Sequence, residues 1–273
     1  AADLPSTSFD RTTGAFEVSN VPAGSYALDA AMLAANPSTT LSSFTRVRID
    51  VASDVDNLEV PIRSGMTVSG RIDGEGLASA SDMPGYENLR VNLVSTLLPQ
   101  SRVGSSLKIA ANGTFTIENV SSGEYRVRVT GLPPNTYVKS ALIGVKDILQ
   151  EPLVIGTVPP PAMTILISRN AAQVAGTIVD ASLNPVPGTQ AVLVPDQSRD
   201  HHDLYKTVAC DGAGHFTIQG ITPADYKLFA WEDLEPYSYF DPAVLQQFES
   251  LGKRIHLVES SRETVTLSVI PAR

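Results

Sequence analysis

The same stretch of sequence occurs three times in this chain, and any fold must accommodate all three copies. Residues 14–28 read GAFEVSNVPAGSYAL, residues 113–127 GTFTIENVSSGEYRV, and residues 214–228 GHFTIQGITPADYKL. Each copy places a phenylalanine (Phe16, Phe115, Phe216) ten residues before a tyrosine (Tyr26, Tyr125, Tyr226). The phenylalanines fall 99 and 101 residues apart. Self-similarity at a period near one domain length marks a tandem array of small domains.

Within a copy the apolar residues alternate. Phe115 and Ile117, and then Val120, point one way, while Thr114, Thr116 and Glu118 point the other. Period two over so short a run is a strand with one buried face. A turn follows (Pro22-Ala23-Gly24, Ser121-Ser122-Gly123 or Thr222-Pro223-Ala224), then a second strand with Tyr125, Val127 and Val129 opposite Arg126 and Arg128. Proline fixes φ and glycine accepts φ > 0, so tight turns are expected. Where the third copy has Ala224-Asp225, the tolerance of aspartate for left-handed geometry lets the turn survive with a small shift. The tyrosine has two readings: a core ring whose hydroxyl reaches solvent, or a tyrosine corner bonded back to nearby backbone.

The rest of the chain supplies further short strands. The 19 prolines and 19 glycines with only 6% aromatic residues suit many strands joined by turns, and 42% hydrophobic content is enough for real cores. The expectation is an all-β, tandem Greek-key β-sandwich array, prealbumin-like or immunoglobulin-like. Its domains are 1–62, 63–168 and 169–273, the first incomplete because too few residues precede Phe16 to hold the opening strands. Residues 44–51 and 58–62 read as closing strands of the first repeat, and the three-residue joint Arg63-Ser64-Gly65 should bring its neighbours into contact. The second repeat opens with 66–72. A Gly/Ser/Ala-rich insertion at 74–84 reads as a mobile surface loop. Strands follow at 89–95 and 107–110, residues 136–148 read as strand, bend, strand, residues 158–161 as a stiff spacer, and residues 163–168 as the closing strand. The third repeat has strands at 174–180, 191–195, 205–210, 254–258 and 264–270. Residues 242–251 form the one helix candidate, with Asp241 as cap, Pro242 in the first position and Gly252 at the end.

Charge and cysteine content exclude several roles. Net charge is −9 and the isoelectric point about 4.9, which argues against a nucleic-acid or anionic-membrane surface. Cys210 is the only cysteine, so neither an intrachain disulfide nor a thiolate zinc cluster is expected. No apolar run approaches the length of a membrane span. The chain begins AADLPSTSF without an initiator methionine, which points to a longer polypeptide whose targeting signal is not visible.

The pattern formed by Gly176, Asp180, Asn184 to Gly188, Asp211, Gly214, Phe216, Ile218, Ile221, Pro223 and Tyr226 resembles the carboxypeptidase regulatory-like family. The resemblance extends over most of the second and third repeats and the latter part of the first. It implies a transthyretin-like or starch-binding-like β-sandwich of about seven strands. Such modules accompany peptidases, receptors and envelope proteins, and the tandem arrangement resembles large bacterial secreted or envelope proteins. Function must still be argued from a site.

The residues offer little catalytic chemistry. There is no GxSxG stretch, phosphate loop or HExxH helix. His201-His202-Asp203, beside Asp200, is the only local cluster of ligand type, and neighbours on a strand face opposite ways, so an exposed polar loop is the plainer reading. Cys210 reads as a partly buried, inert thiol. The opening strands lack the buried lysine that a Lys–Asn crosslink would need. No catalytic residue, metal or cofactor is expected. What remains is aromatic: Phe229, Trp231, Tyr237, Tyr239 and Phe240 lie close together among Glu232, Asp233, Glu235 and Asp241. If exposed, Trp231, Tyr237 and Tyr239 would form a sugar- or peptide-binding platform, with Glu232 accepting hydrogen bonds. If covered by 242–251, they are core.

The function expected is that of a non-catalytic, extracytoplasmic β-sandwich repeat protein, a structural, adhesion or ligand-presenting part of a larger bacterial protein. Its location is then extracellular, periplasmic or in the envelope, and its partner a polysaccharide or cell-envelope protein. The alternatives are a carbohydrate-binding module, and accessory domains of a metallocarboxypeptidase or an outer-membrane receptor.

Overall fold

The computed structural model describes residues 5–32, 43–62, 65–96, 102–105 and 108–271. The architecture is all-β, with one short α-helix among the described residues. The chain divides into two compact units. One gathers Ala1–Thr67 with Glu118–Gly123 and Val154–Pro159; the other comprises Val68–Ile117, Glu124–Leu153 and Pro160–Arg273.

In the first unit, β1 (Ser6–Phe9) pairs antiparallel with β2 (Phe16–Ser19), and β3 (Gly24–Met32) with β4 (Ser43–Val51). Residues 58–62, expected as a closing strand, form none; Thr45 Oγ1 instead donates to the Pro61 carbonyl at 2.7 Å. Gly65 lies directly against the backbone of Asn119, where a Cβ would come within 2.3 Å. Arg63 and Ser64 lie outside the described residues, as does Leu107 of the expected strand 107–110, whose remaining residues are not strand.

The second repeat contains β5 (Met66–Gly74), β6 (Arg90–Ser95), β7 (Arg102–Ser105), β8 (Thr114–Val120), β9 (Gly123–Thr130), β10 (Tyr137–Ile143), β11 (Lys146–Asp147), β12 (Leu153–Ile155) and β13 (Met163–Ser168). They form two sheets, in the orders β11-β10-β13-β5-β8 and β12-β9-β6-β7. The third repeat contains β14 (Ala172–Val179), β15 (Gln190–Pro195), β16 (Lys206–Ala209), β17 (His215–Ile221), β18 (Ala224–Trp231), β19 (Lys253–Leu257) and β20 (Arg262–Ser268). Its sheets run β17-β14-β20 and β16-β15-β18-β19. In both repeats the first and last strands are parallel neighbours, β5 with β13 and β14 with β20. The β10–β11 hairpin is an addition to the second repeat, and is the strand, bend, strand expected at 136–148.

The repeated phenylalanine has a matching glycine. Gly176 stands opposite Phe216 in the β14–β17 ladder, and a Cβ there would lie 2.9 Å from the ring and 2.2 Å from the Val265 carbonyl oxygen. A Cβ on Gly70 would lie 2.5 Å from Phe115 Cζ. Glycine within these strands seats the ring rather than loosening the strand. Around each ring the alternation holds: Phe115, Ile117 and Val120 are buried, and so are Phe216, Ile218 and Ile221.

Three local expectations are corrected. Besides its opening glycine (Gly14, Gly113 or Gly214), each unit is left-handed not at the turn glycine but at the residue four after the phenylalanine: Asn20 (φ 61°), Asn119 (φ 59°) and Gly220 (φ 65°). Neither Gly24 nor Gly123 has positive φ, so Ala224 replaces them without strain and Asp225 has no geometry to absorb. The insertion 74–84 is packed, not a free loop, since Ala80 and Met83 are buried. Helix α1 (Pro242–Phe248) is capped as expected, Asp241 Oδ1 accepting from the Ala243 amide at 2.8 Å. It ends before Gly252, whose missing side chain instead makes room for Phe229, 2.5 Å from where a Cβ would sit.

The tyrosine forms a corner in the first and third repeats. Tyr26 donates to the Pro22 carbonyl at 2.8 Å and Tyr226 to the Thr222 carbonyl at 2.8 Å. Burial raises the Tyr226 phenol well above its usual value.

Candidate functional site

The aromatic segment begins where β18 runs out. Every residue of β18 from Tyr226 to Trp231 is buried, because its sheet is covered on both faces. The inner face carries the sandwich core. The outer face packs Phe229 and Trp231 with Val192, Val194, Tyr205 and Tyr239 beneath Leu245 and Phe248 of α1. Trp231 is 2% exposed, stacked on Phe229 at 4.9 Å and met edge-on by Phe248 at 5.7 Å. Tyr239 is 6% exposed. The flat platform therefore does not form: two of its three rings are core, because residues 242–248 fold back as a helix over them. Only Tyr237, 70% exposed and left-handed (φ 70°), stands outside; Glu232 is exposed as well. The indole Nε1 is buried without a hydrogen-bond partner.

An ionic clamp that sequence reasoning missed fastens the end of this helix. Lys227, in the middle of β18, is only 6% exposed. Its ammonium pairs closely with Glu249 and reaches Asp196 at 3.7 Å. Arg199 donates to both Glu249 oxygens, at 2.8 and 3.1 Å. Hydrogen bonding from Arg199, with Lys227 adding to it against the effect of burial, holds the Glu249 carboxyl down to about 2. The alternation of β18 placed Lys227 on the side away from the sandwich core. That helix cover makes this side an interior is not written in the strand.

Within the second compact unit, residues of the second and third repeats line a cleft of about 710 Å3. Arg126, Arg128 and Lys139 line it from one side and His201, His202, Lys206 and Asp225 from the other. Arg126 pairs with Asp200 and donates to His201 Nε2 at 2.7 Å. A guanidinium only donates, so that nitrogen must accept. His202 turns away and stacks on Phe240 at 4.1 Å; burial and the nearby Arg128 lower its pKa. The adjacent histidines thus serve different partners. Among the described residues no group of three or more His, Cys, Asp or Glu side chains could hold a metal. Cys210 is buried, its thiol donating to the Val186 carbonyl at 3.2 Å.

One edge of this interface is a charged lock. Lys139 pairs with Glu75 at 2.5 Å within the second repeat and with Glu259 at 2.8 Å in the third. Tyr137 donates to the same Glu259 oxygen at 2.6 Å. Its phenol is pushed up to about 12, mainly by burial and then by Glu259. Hydrogen bonding from Lys139 lowers both glutamates, and the glutamates raise Lys139. One backbone bond crosses alongside, from the Ala171 amide to the Asn135 carbonyl at 3.3 Å, and within the third repeat the Ser260 amide donates to the Asn170 carbonyl at 2.8 Å.

No protein-family model matches the chain, and no curated protein matches it. Solved structures similar to this chain include several pilins. A streptococcal ancillary pilin is 12% identical over 93% of this chain and 77% of its own, with a TM-score of 0.29. A minor pilin of Streptococcus agalactiae is 13% identical over 76% and 99%, at 0.35. A shaft pilin of Lactobacillus rhamnosus GG is 8% identical over 75% and 98%, at 0.28. Likenesses this distant carry no functional argument, and the resemblance to the carboxypeptidase regulatory-like family rests on its residues alone.

Proposed function

We propose that this chain is a non-catalytic structural part of a larger extracytoplasmic protein, in which the repeats at 63–168 and 169–273 act together as one stiff spacer on the cell surface or in the envelope. The observation that carries this reading is the lock of Tyr137, Lys139, Glu75 and Glu259, joined by the Arg126–Asp200 pair. Charged and backbone bonds on two sides of a single interface oppose both hinge and twist. The acidic surface and the resemblance to modules strung along envelope proteins agree with it. Its partner is then a neighbouring envelope protein. The carbohydrate-binding alternative loses its main support once the indole is enclosed.

Spin labels at Val145→Cys and Asp233→Cys, both exposed positions on different repeats, test the stiffness. Pulsed electron resonance should give one narrow distance distribution. A broad distribution in the otherwise unaltered protein would sink the spacer reading.

A further inference from the structure

Two arginines and two lysines line the cleft of the second compact unit, and half of these cations have no partner among the described residues. We infer that the cleft binds a single carboxylate carried on an apolar body, with Arg128 and Lys206 taking its charge. The inference goes beyond the spacer role and uses cations that the lock leaves over.

The other two cations are occupied. Arg126 pairs with Asp200, and Lys139 with Glu75 and Glu259. None of these three carboxylates lines the cleft. Arg128 and Lys206, by contrast, make no ion pair and no side-chain hydrogen bond among the described residues. Alternation along β9 buries Tyr125 and Val127 and turns Arg128 outward, where it is exposed. Lys206 opens β16 and is half-buried. Burial lowers its pKa, and Asp203 alone acts in the opposite sense. Burying a charge is costly unless an opposite charge meets it, so an anion in the cleft would compensate Lys206.

The charge of the guest follows from what else faces it. The two carboxylates of the cleft are Asp203 and Asp225. Asp225 is bonded to His256 Nδ1 at 2.7 Å. Asp203 offsets one of the two free cations. The remaining positive charge matches a carboxylate, to which guanidinium and ammonium groups both make charge-assisted hydrogen bonds, and not a multiply charged phosphate. The net charge of −9 works in the same direction, because it repels an extended polyanion.

The rest of the lining specifies the body. Leu132, Val138 and Leu149 from the second repeat and Leu204 from the third are each partly exposed at the cleft. Apolar walls with a few placed charges make up most sites for small organic ligands, and about 710 Å3 lies within their size range. A small apolar acid and the carboxylate of a peptide share this chemistry.

The test uses the full chain and three probes: N-acetyl-dileucine with a free carboxylate, its C-terminal amide, and an amidated tripeptide with aspartate between two leucines. Calorimetry at constant ionic strength measures binding, and amide NMR shifts locate it. We expect the free acid to bind with a dissociation constant of about 1 mM or tighter, and its amide at least about tenfold more weakly. Binding of the tripeptide assigns the site to carboxylates within a chain; its failure, with the free acid still bound, assigns it to chain ends and small acids. Arg128→Gln and Lys206→Gln should each weaken the acid severalfold and leave the amide as it was. Arg254→Gln, exposed outside the cleft, should change neither. Trp231 fluorescence and melting check that each variant is folded; if Lys206→Gln is not, Arg128→Gln, on an exposed side chain, decides alone. Absence of binding by the acid, equal binding of acid and amide, or tighter binding of inorganic phosphate than of any carboxylate probe overturns the inference. So do shifts outside residues 126–139 and 197–225, or an equal loss in Arg254→Gln.

Discussion

The first and third repeats carry the same motif and put it to different use. Phe216, Ile218, Tyr226 and Leu228 are buried; Phe16, Val18, Tyr26 and Leu28 are only half-buried. Not one described side chain between residues 5 and 62 is fully buried. The local structure is nonetheless the same. Both tyrosine corners close at 2.8 Å, and the residue four after each phenylalanine is left-handed in both. Strand, turn and corner are thus properties of some fifteen residues, while the core is a property of the strands laid across them. The third repeat goes further in the opposite direction, burying its second sheet on both faces under α1.

The strongest way to break this comparison is to truncate the same ring in both places. Phe216→Ala should cost about 3–5 kcal/mol, as for a buried ring replaced by a cavity. Phe16→Ala should cost clearly less, because its ring is only partly buried. Trp231 is the only tryptophan and lies in the third repeat, so its fluorescence during urea unfolding reports that repeat. Phe216→Ala should shift the transition and Phe16→Ala leave it in place; equal shifts would mean that the two repeats share one core after all.

The outer core beneath α1 gives the next largest contrast. Trp231→Ala should also cost about 3–5 kcal/mol. Trp231→Phe should cost roughly half as much or less, since the lost indole Nε1–H has no partner to abandon. Circular dichroism melts of the two variants measure this. Similar losses in both would indicate that the buried nitrogen is satisfied in solution.

The clamp should show itself in acid. Glu249 sits at about 2 in the folded protein against an ordinary 4.5, so its contribution is present above pH 4.5 and is lost as pH falls towards 2. Removing its charge with Glu249→Gln leaves the buried Lys227 poorly compensated. Because Glu249 is itself about one-third exposed, a loss of about 1–2 kcal/mol at neutral pH is expected. Urea unfolding at pH 7 and pH 3 should find the variant less sensitive to acid than the parent chain. An unchanged pH dependence would remove Glu249 from the account.

The smallest effect on stability belongs to the lock. Glu259→Gln should leave the melting temperature almost unchanged, as for exposed pairs. It should nevertheless broaden the spin-label distance distribution between Val145→Cys and Asp233→Cys. The glutamate pKa values are lowered in the folded protein, so acidification below about pH 4.5 should broaden it in the parent chain too, the lock being present above that pH and lost below. A distribution indifferent to both would show that the backbone contacts alone hold the repeats.

Sequence alone determined the repeats, most of their strands and the alternation of their faces. It did so because alternation and turn chemistry are short-range: the contrast between Ile117 and Thr116 is written within two residues, and the cap of α1 within Asp241 to Ala243. It also located the aromatic segment, but not whether that segment was surface or core. The tertiary structure decided that question, because burial depends on what a distant segment covers. α1 turns the outer face of β18 into an interior, encloses Trp231 and Tyr239, and makes Lys227 a buried charge in need of Glu249. The same reason separates the first repeat from the third. Phe16 and Phe216 sit in nearly the same words of sequence, and only the strands brought beside them differ.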